Sequence, residues 1–124
     1  MRMPKQHLEF MRLNMDEGWE TPEGYPPEIQ HKILAGRIDE TSRAGNRTRL
    51  LRFAPGAFTT EAFVHTYWEE VFLLSGDLCV ADDENNPDFT KYEGFTYACR
   101  PPGVYHGPFR SENGCLLLEV HFYP

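Results

Sequence analysis

The chain has 124 residues, 25% of them charged, 40% hydrophobic and 14% aromatic, with ten glycines, ten prolines and a formal net charge of -7. That length fits one domain around one core, and the aromatic and turn-forming content favours turn-rich β structure over a helical bundle. The acidic balance argues against phosphate-backbone binding, so nucleic acid is not an expected partner. No apolar run approaches the ~20 residues that span a bilayer, and the start Met1-Arg-Met-Pro-Lys-Gln lacks the apolar segment of a signal peptide. A cytoplasmic protein with no membrane partner is expected.

Residues 1–28 mix Phe10, Met11 and Trp19 with charges and then reach Thr21-Pro-Glu-Gly-Tyr-Pro-Pro, which breaks any helix. They read as an N-terminal arm lying over a sheet or a partner subunit, and 29–124 as a barrel. From Ile29 the pattern turns strand-like: a first arm through Gly36, a polar loop Asp39–Asn46 and a second arm Thr48–Gly56 carrying Arg49 and Arg52 read as a hairpin. Strands are next expected over Ala57–Val64, Glu70–Leu74 and Asp77–Ala81. The run Asp82-Asp-Glu-Asn-Asn-Pro-Asp reads as a solvated turn, since it lacks the glycine and terminal glutamate of a calcium loop. Thr90–Tyr97, Ala98–Pro102, Tyr105–Phe109 and Cys115–Tyr123 complete a series of short strands separated by Gly and Pro turns, as in an all-β sandwich or barrel. Cys79, Cys99 and Cys115 are odd in number with no CxxC spacing, so they read as reduced packing residues on strands.

The chemistry concentrates in two stretches, Pro55–Gly76 and Gly94–His106. In extended chain, alternate side chains share a face, so Phe63, His65, Tyr67, Glu69 and Val71 point one way. His106 follows a Pro-Pro-Gly turn that sends the chain back across the same interior. Two imidazoles and one carboxylate suit iron(II), and also zinc, nickel or manganese, with positions left open for substrate. A carboxylate inside an apolar barrel needs a cation or a donor, which favours Glu69 inward over its neighbour Glu70. Tyr67 reads as a rim tyrosine, a fourth ligand or an acid/base group, and Arg100 as a holder of a substrate carboxylate or half of a salt bridge at the barrel mouth. His121 and Glu119 share one face of the last strand; if that face is interior, His121 reaches metal or substrate. Phe53, Phe58, Phe63, Tyr97 and Tyr105 read as core, with Phe63 and Tyr105 also candidates to line a substrate pocket.

His65-Thr-Tyr-Trp-Glu69, six residues, Gly76 resembles the first cupin motif, and Gly94, six residues, Pro101-Pro-Gly103-Val-Tyr-His106 resembles the second. Within that superfamily the chain is most similar to compact single-domain cupins related to the zinc-binding domain of an anti-sigma factor and to acetylacetone-cleaving dioxygenases. The resemblance implies a small jelly-roll (double-stranded β-helix) barrel, usually a homodimer, with a divalent transition metal near one mouth held by His65, Glu69 and His106. Two positions depart from the pattern: Phe63 stands where the first histidine falls, and Arg110 where the final asparagine falls. The implied function is a metal-dependent enzyme, with Glu69 and Tyr67 as catalytic groups, acting on a carbonyl, enol or phenolic small molecule as dioxygenase, cyclase, isomerase or lyase. The alternative is a non-catalytic sensory module that binds a ligand or zinc.

Overall fold

The computed structural model describes residues 5–83, 85 and 88–124, and among these it contains strands and no helix. Glu84, Asn86 and Pro87 of the acidic turn, and the first four residues, lie outside the described residues. Seven strands follow in order: β1 Ile29–Asp39, β2 Ala44–Phe53, β3 Trp68–Ala81, β4 Phe89–Glu93, β5 Thr96–Arg100, β6 Phe109–Arg110 and β7 Cys115–Phe122. All pairings are antiparallel. The order β1-β2-β7-β3 forms one wall, extended past β3 by β5, while the far half of β3 pairs with β4 and β6.

β3 is the strand around which the two walls turn. A register shift between Leu73 and Ser75 against β7 marks a bulge at Leu74, and the inward set changes from Glu69, Val71 and Leu73 before it to Leu78 after it. One strand therefore serves both walls where alternation alone predicted two. Gly76, at the end of the first motif, has φ of +82°, and a Cβ there would fall 2.0 Å from the Gly114 carbonyl oxygen. Gly76→Ala should therefore cost about 2–4 kcal/mol, read as a lower urea midpoint with an unchanged m-value. Beside it, Asp77 accepts from Ser111 Oγ, the Glu112 and Asn113 amides and Asn113 Nδ2, fixing the turn into β7.

The core is Ile29, Leu51, Phe53, Ala57, Val71, Leu73, Leu78, Phe109, Cys115 and Leu117. Register places its inward residues in rows across the wall. Leu51, Leu117 and Leu73 are aligned at the apolar level; one level up stand Arg49, Glu119 and Val71; above them stand Arg47, His121 and Glu69. The interior is thus graded along its axis from hydrocarbon to charge.

Several expectations are corrected. Ala57–Val64 is irregular chain making only isolated bridges, Phe58 to Arg110 and Phe63 to His106, because Pro55-Gly56 and the turn before it break the ladder. Thr90–Tyr97 is divided at Gly94-Phe95, where Phe95 takes φ of 66°. Tyr105–Phe109 shrinks to the two-residue β6. The hairpin turn between β1 and β2 is shorter than expected, Asp39 accepting from the Thr41 and Ser42 amides. Phe58, Tyr97 and Tyr105 are exposed, and so is Cys99, whereas Cys79 and Cys115 are buried. Trp19 lies under the Arg52 guanidinium at 3.9 Å and Glu20 bridges to His31, so the later arm packs on β1 and β2. Phe10 and Met11 project into solvent. No described helix is long and apolar enough to cross a membrane.

Candidate metal centre

Alternation places Phe63, His65, Tyr67, Glu69 and Val71 on the inner side, while Val64 and Thr66 face solvent and Trp68 and Glu70 are half-buried. The period holds even though the regular strand begins only at Trp68, because the Phe63 bridge to His106 keeps the approach extended. His106 comes in opposite through that bridge, and Gly103 N donates to the His65 carbonyl, tying the two motif stretches together. Nitrogens of His65 and His106 and a carboxylate oxygen of Glu69 all lie within 4.8 Å of one another.

The contacts within this trio are near-misses. His65 Nε2 stands 3.6 Å from Glu69 Oε2, and His106 Nε2 stands 3.5 Å from Glu69 Oε1. Both separations are too long for a good hydrogen bond. Burial lowers the His65 pKa to about 4, against the pull of Glu69, and burial likewise lowers that of His106. His106 Nδ1 faces the Val104 carbonyl at 3.3 Å, which requires a proton on Nδ1 and leaves a lone pair on Nε2. His65 Nε2 is buried with no hydrogen-bond partner among the described residues. Two neutral imidazoles thus aim nitrogens at a carboxylate, an arrangement that a divalent cation among them would satisfy. The donor set of His65, Glu69 and His106 fits a resident metal.

Glu69 is further held by Arg100, whose Nη1 donates to Oε1 at 3.0 Å, and by His121, whose Nε2 lies 2.8 Å from Oε2. Arg100 is therefore the salt bridge of its two sequence readings. His121 is fully buried behind Glu69 and beside Glu119, 3.4 Å away. Tyr67 is no rim residue: it is buried, stacked on His65 at 4.6 Å between centroids and tilted against His121 at 4.6 Å, and burial pushes its phenol well above its usual range. Tyr105 is 71% exposed and stands away from the trio, since the turn after Pro102 directs it outward. Phe63, at the vacated histidine position, stacks on Tyr25 from the arm at 4.8 Å and on His106 at 6.1 Å.

Behind the trio lies a polar layer that sequence reading passed over. Arg49 donates through Nε to Glu119 Oε1 at 2.8 Å, with Nη2 also at 2.8 Å, and through Nη1 to His31 Nδ1 at 2.9 Å. Burial pushes the Glu119 carboxyl up, but Arg49 and His121 outweigh it and hold it well below the usual range. Arg47 donates to His121 Nδ1. The signal was present: Arg47, Arg49, Leu51 and Phe53 share one parity, so the buried Leu51 and Phe53 carry both arginines inward. His31 is depressed to about 4 by burial and by Arg49. Its folded pKa lies below the unfolded value, so the stability it contributes is present above pH ~6.5 and is lost as pH falls toward 4. Unfolding the metal-free protein between pH 7 and 4.5 should show His31→Gln losing about 1–2 kcal/mol less stability than wild type, after allowance for partial exposure.

Inside the barrel a cavity of about 30 Å³ is lined by Tyr25, Glu69, Arg100, His106, Phe109 and Glu119 among others. Tyr25, its hydroxyl pushed up to about 12 by burial and Glu119, also lines an open groove of about 920 Å³ together with Phe63, Pro55 and Glu61. It is the wall between the two.

A small antiparallel jelly roll with two histidines and a glutamate converging inside it defines a cupin barrel. The chain belongs to the ChrR cupin-like domain family, whose profile matches residues 16–122. Among solved structures, an RmlC-like cupin from Shewanella frigidimarina is similar with a TM-score of 0.67 and 16% identity, covering 100% of this chain and 96% of that one. An acetylacetone dioxygenase from Acinetobacter johnsonii is similar at 0.67 and 15%, covering 94% and 75%. The polyketide cyclase RemF from Streptomyces resistomycificus is similar at 0.65 and 17%, covering 94% and 81%. These identities speak for the fold. No curated protein matches significantly.

Proposed function

We propose that the protein is a metal-dependent enzyme acting on a small carbonyl, enol or phenolic substrate. The observation that carries this reading is the pair of imidazole nitrogens facing Glu69 at 3.5 and 3.6 Å without hydrogen bonds. His65, Glu69 and His106 would hold the metal, with iron(II) or zinc the first candidates and nickel or manganese next. When bound, such an ion supplies Lewis-acid polarisation of a carbonyl or enol oxygen. The chain's own residues supply the rest. Glu69 contributes the one negative charge of the trio, Arg100 steadies it at the cavity wall, and Phe63 with Tyr25 excludes water from the side where a fourth ligand would stand. Tyr67, kept protonated across ordinary pH by burial and stacked on His65, serves as a proton donor. Polarisation of this kind suits dioxygenase chemistry and cyclase, isomerase or lyase chemistry alike, and similarity in fold to a dioxygenase and a cyclase supports keeping both branches. Three unpaired cysteines support a reducing, cytoplasmic setting. The half-buried outer row Phe72, Leu118 and Val120 supports a homodimer.

One observation favours a second reading, a non-catalytic sensor of zinc or a small ligand: a cavity of about 30 Å³ has room for about one water, and an organic substrate enters only if Tyr25 gives way. Turnover of a panel of diketones and phenols by reconstituted protein, followed by mass spectrometry with and without oxygen, separates the readings. Products sensitive to His106→Ala establish the enzyme, and loss of turnover without oxygen selects the oxygenase. Tight binding with no product from any substrate sinks the enzyme reading in favour of the sensor.

A further inference from the structure

His106 and His121 both aim Nε2 at Glu69, at 3.5 and 2.8 Å, yet their other nitrogens meet opposite partners. His106 Nδ1 faces a carbonyl, which only accepts. His121 Nδ1 faces Nε and Nη2 of Arg47 at 3.1 and 2.8 Å, and a guanidinium only donates. A lone pair on His121 Nδ1 follows, and with it a proton on Nε2. That Nε2–H points at Glu69 Oε2, with Glu119 Oε1 as a more distant second acceptor at 3.4 Å. Among the described residues Arg47 makes no ion pair with a carboxylate, Glu119 being held by Arg49.

We infer that His121 is a positioning residue outside the metal's coordination shell, and that Arg47 makes it one by fixing its tautomer. A metal takes a nitrogen lone pair, and Arg47 assigns that lone pair to the wrong side of the ring. His121 then anchors one oxygen of Glu69 through Nε2–H and turns the carboxylate toward His65 and His106. This is the reverse of a fourth ligand replacing the histidine lost at Phe63. Distance alone does not separate the two groups, since the ligand atoms of Glu69, Glu119 and His121 lie within 4.8 Å of one another just as those of His65, Glu69 and His106 do. The guanidinium on His121 Nδ1, set against the carbonyl on His106 Nδ1, does. The consequence for metal affinity rests on the proposed metal-binding reading; the hydrogen-bond assignment does not.

Two measurements test this. In ¹⁵N-labelled metal-free protein, long-range ¹H–¹⁵N correlation should show His121 protonated at Nε2 and bare at Nδ1, with His106 the reverse. In Arg47→Met the bare Nδ1 signal of His121 should be lost, and Arg47→Lys should restore it in part. In zinc titrations monitored by chelator competition, His121→Ala and Arg47→Met should each weaken binding about 10–100-fold at unchanged stoichiometry. His121→Gln, whose amide N–H still donates to Glu69, should stay close to wild type. The inference is overturned if His121→Gln loses as much affinity as His121→Ala, or if added zinc removes the His121 Nε2–H signal, since either makes His121 a ligand. A proton on Nδ1 in the wild type overturns it independently of zinc. Should His121→Ala fail to fold, the glutamine variant and the wild-type spectrum decide. Failure of the wild type to bind any metal contradicts the function proposed above, while the spectrum still judges the tautomer.

Discussion

Glu69→Gln should lower metal affinity about 100-fold or more. Loss of an outer partner of a ligating group typically costs 10–100-fold, and Glu69 is itself the charged member of the trio. The substitution is nearly isosteric, so the loss reads out the change from carboxylate to amide. It also leaves only one of Arg100 Nη1 and His121 Nε2 with an acceptor, because the other faces the amide NH2, which donates. Competition against a chromogenic zinc chelator measures the effect, with Glu70→Gln as the control on the outward neighbour, whose carboxylate accepts from Tyr97 at 2.5 Å. An affinity within tenfold of wild type for Glu69→Gln would remove the carboxylate from the ligand set.

The second large effect concerns stability. Arg49→Met should destabilise the fold by about 3–5 kcal/mol, because it strands Glu119 as a buried carboxylate whose remaining partner is neutral His121. Tyr25 and His31 lose a neighbour at the same time. The double variant Arg49→Met with Glu119→Leu should recover most of the loss, since a buried ion pair often exchanges for hydrocarbon at little cost. Urea denaturation of the four-member cycle measures the coupling. A single variant as stable as wild type would mean that water reaches Glu119, contradicting the closed polar layer beneath the trio.

Strand alternation and the spacing of the two motifs made most of the barrel and the trio legible in the sequence. Period two placed His65 and Glu69 on one side, and the Pro-Pro-Gly turn returned His106 to them. The same rule, applied to β2, carries Arg47 and Arg49 inward beside Leu51 and Phe53, yet a charged residue invites an outward reading unless its partner on another strand is known. Glu119 is that partner, and only register across β2 and β7 reveals it. His121 illustrates a further limit: sequence leaves open whether its face is interior, and whether it ligates or donates depends on which atom faces Nδ1, an atom that belongs to Arg47, 74 residues away.

Turn chemistry was the weaker guide. Tyr105 read as core or as a pocket wall, but the residues between the Pro-Pro-Gly turn and His106 run over the surface, so Tyr105 is exposed. The wall is supplied instead by Tyr25, from an arm whose prolines marked it only as an irregular segment. Its ring fills the space beside Phe63. Phe63, at the motif position of the first histidine, therefore has a structural counterpart: its ring stacks between Tyr25 and His106.

The most direct test of the metal centre is the metal content of the purified wild-type protein, by elemental analysis before and after reconstitution with iron(II), zinc, nickel and manganese, alongside His65→Ala and His106→Ala. The structure predicts close to one transition-metal ion per chain in the wild type and a large loss in both variants. A wild type that stays empty under every condition, or variants that retain a full complement, would contradict it.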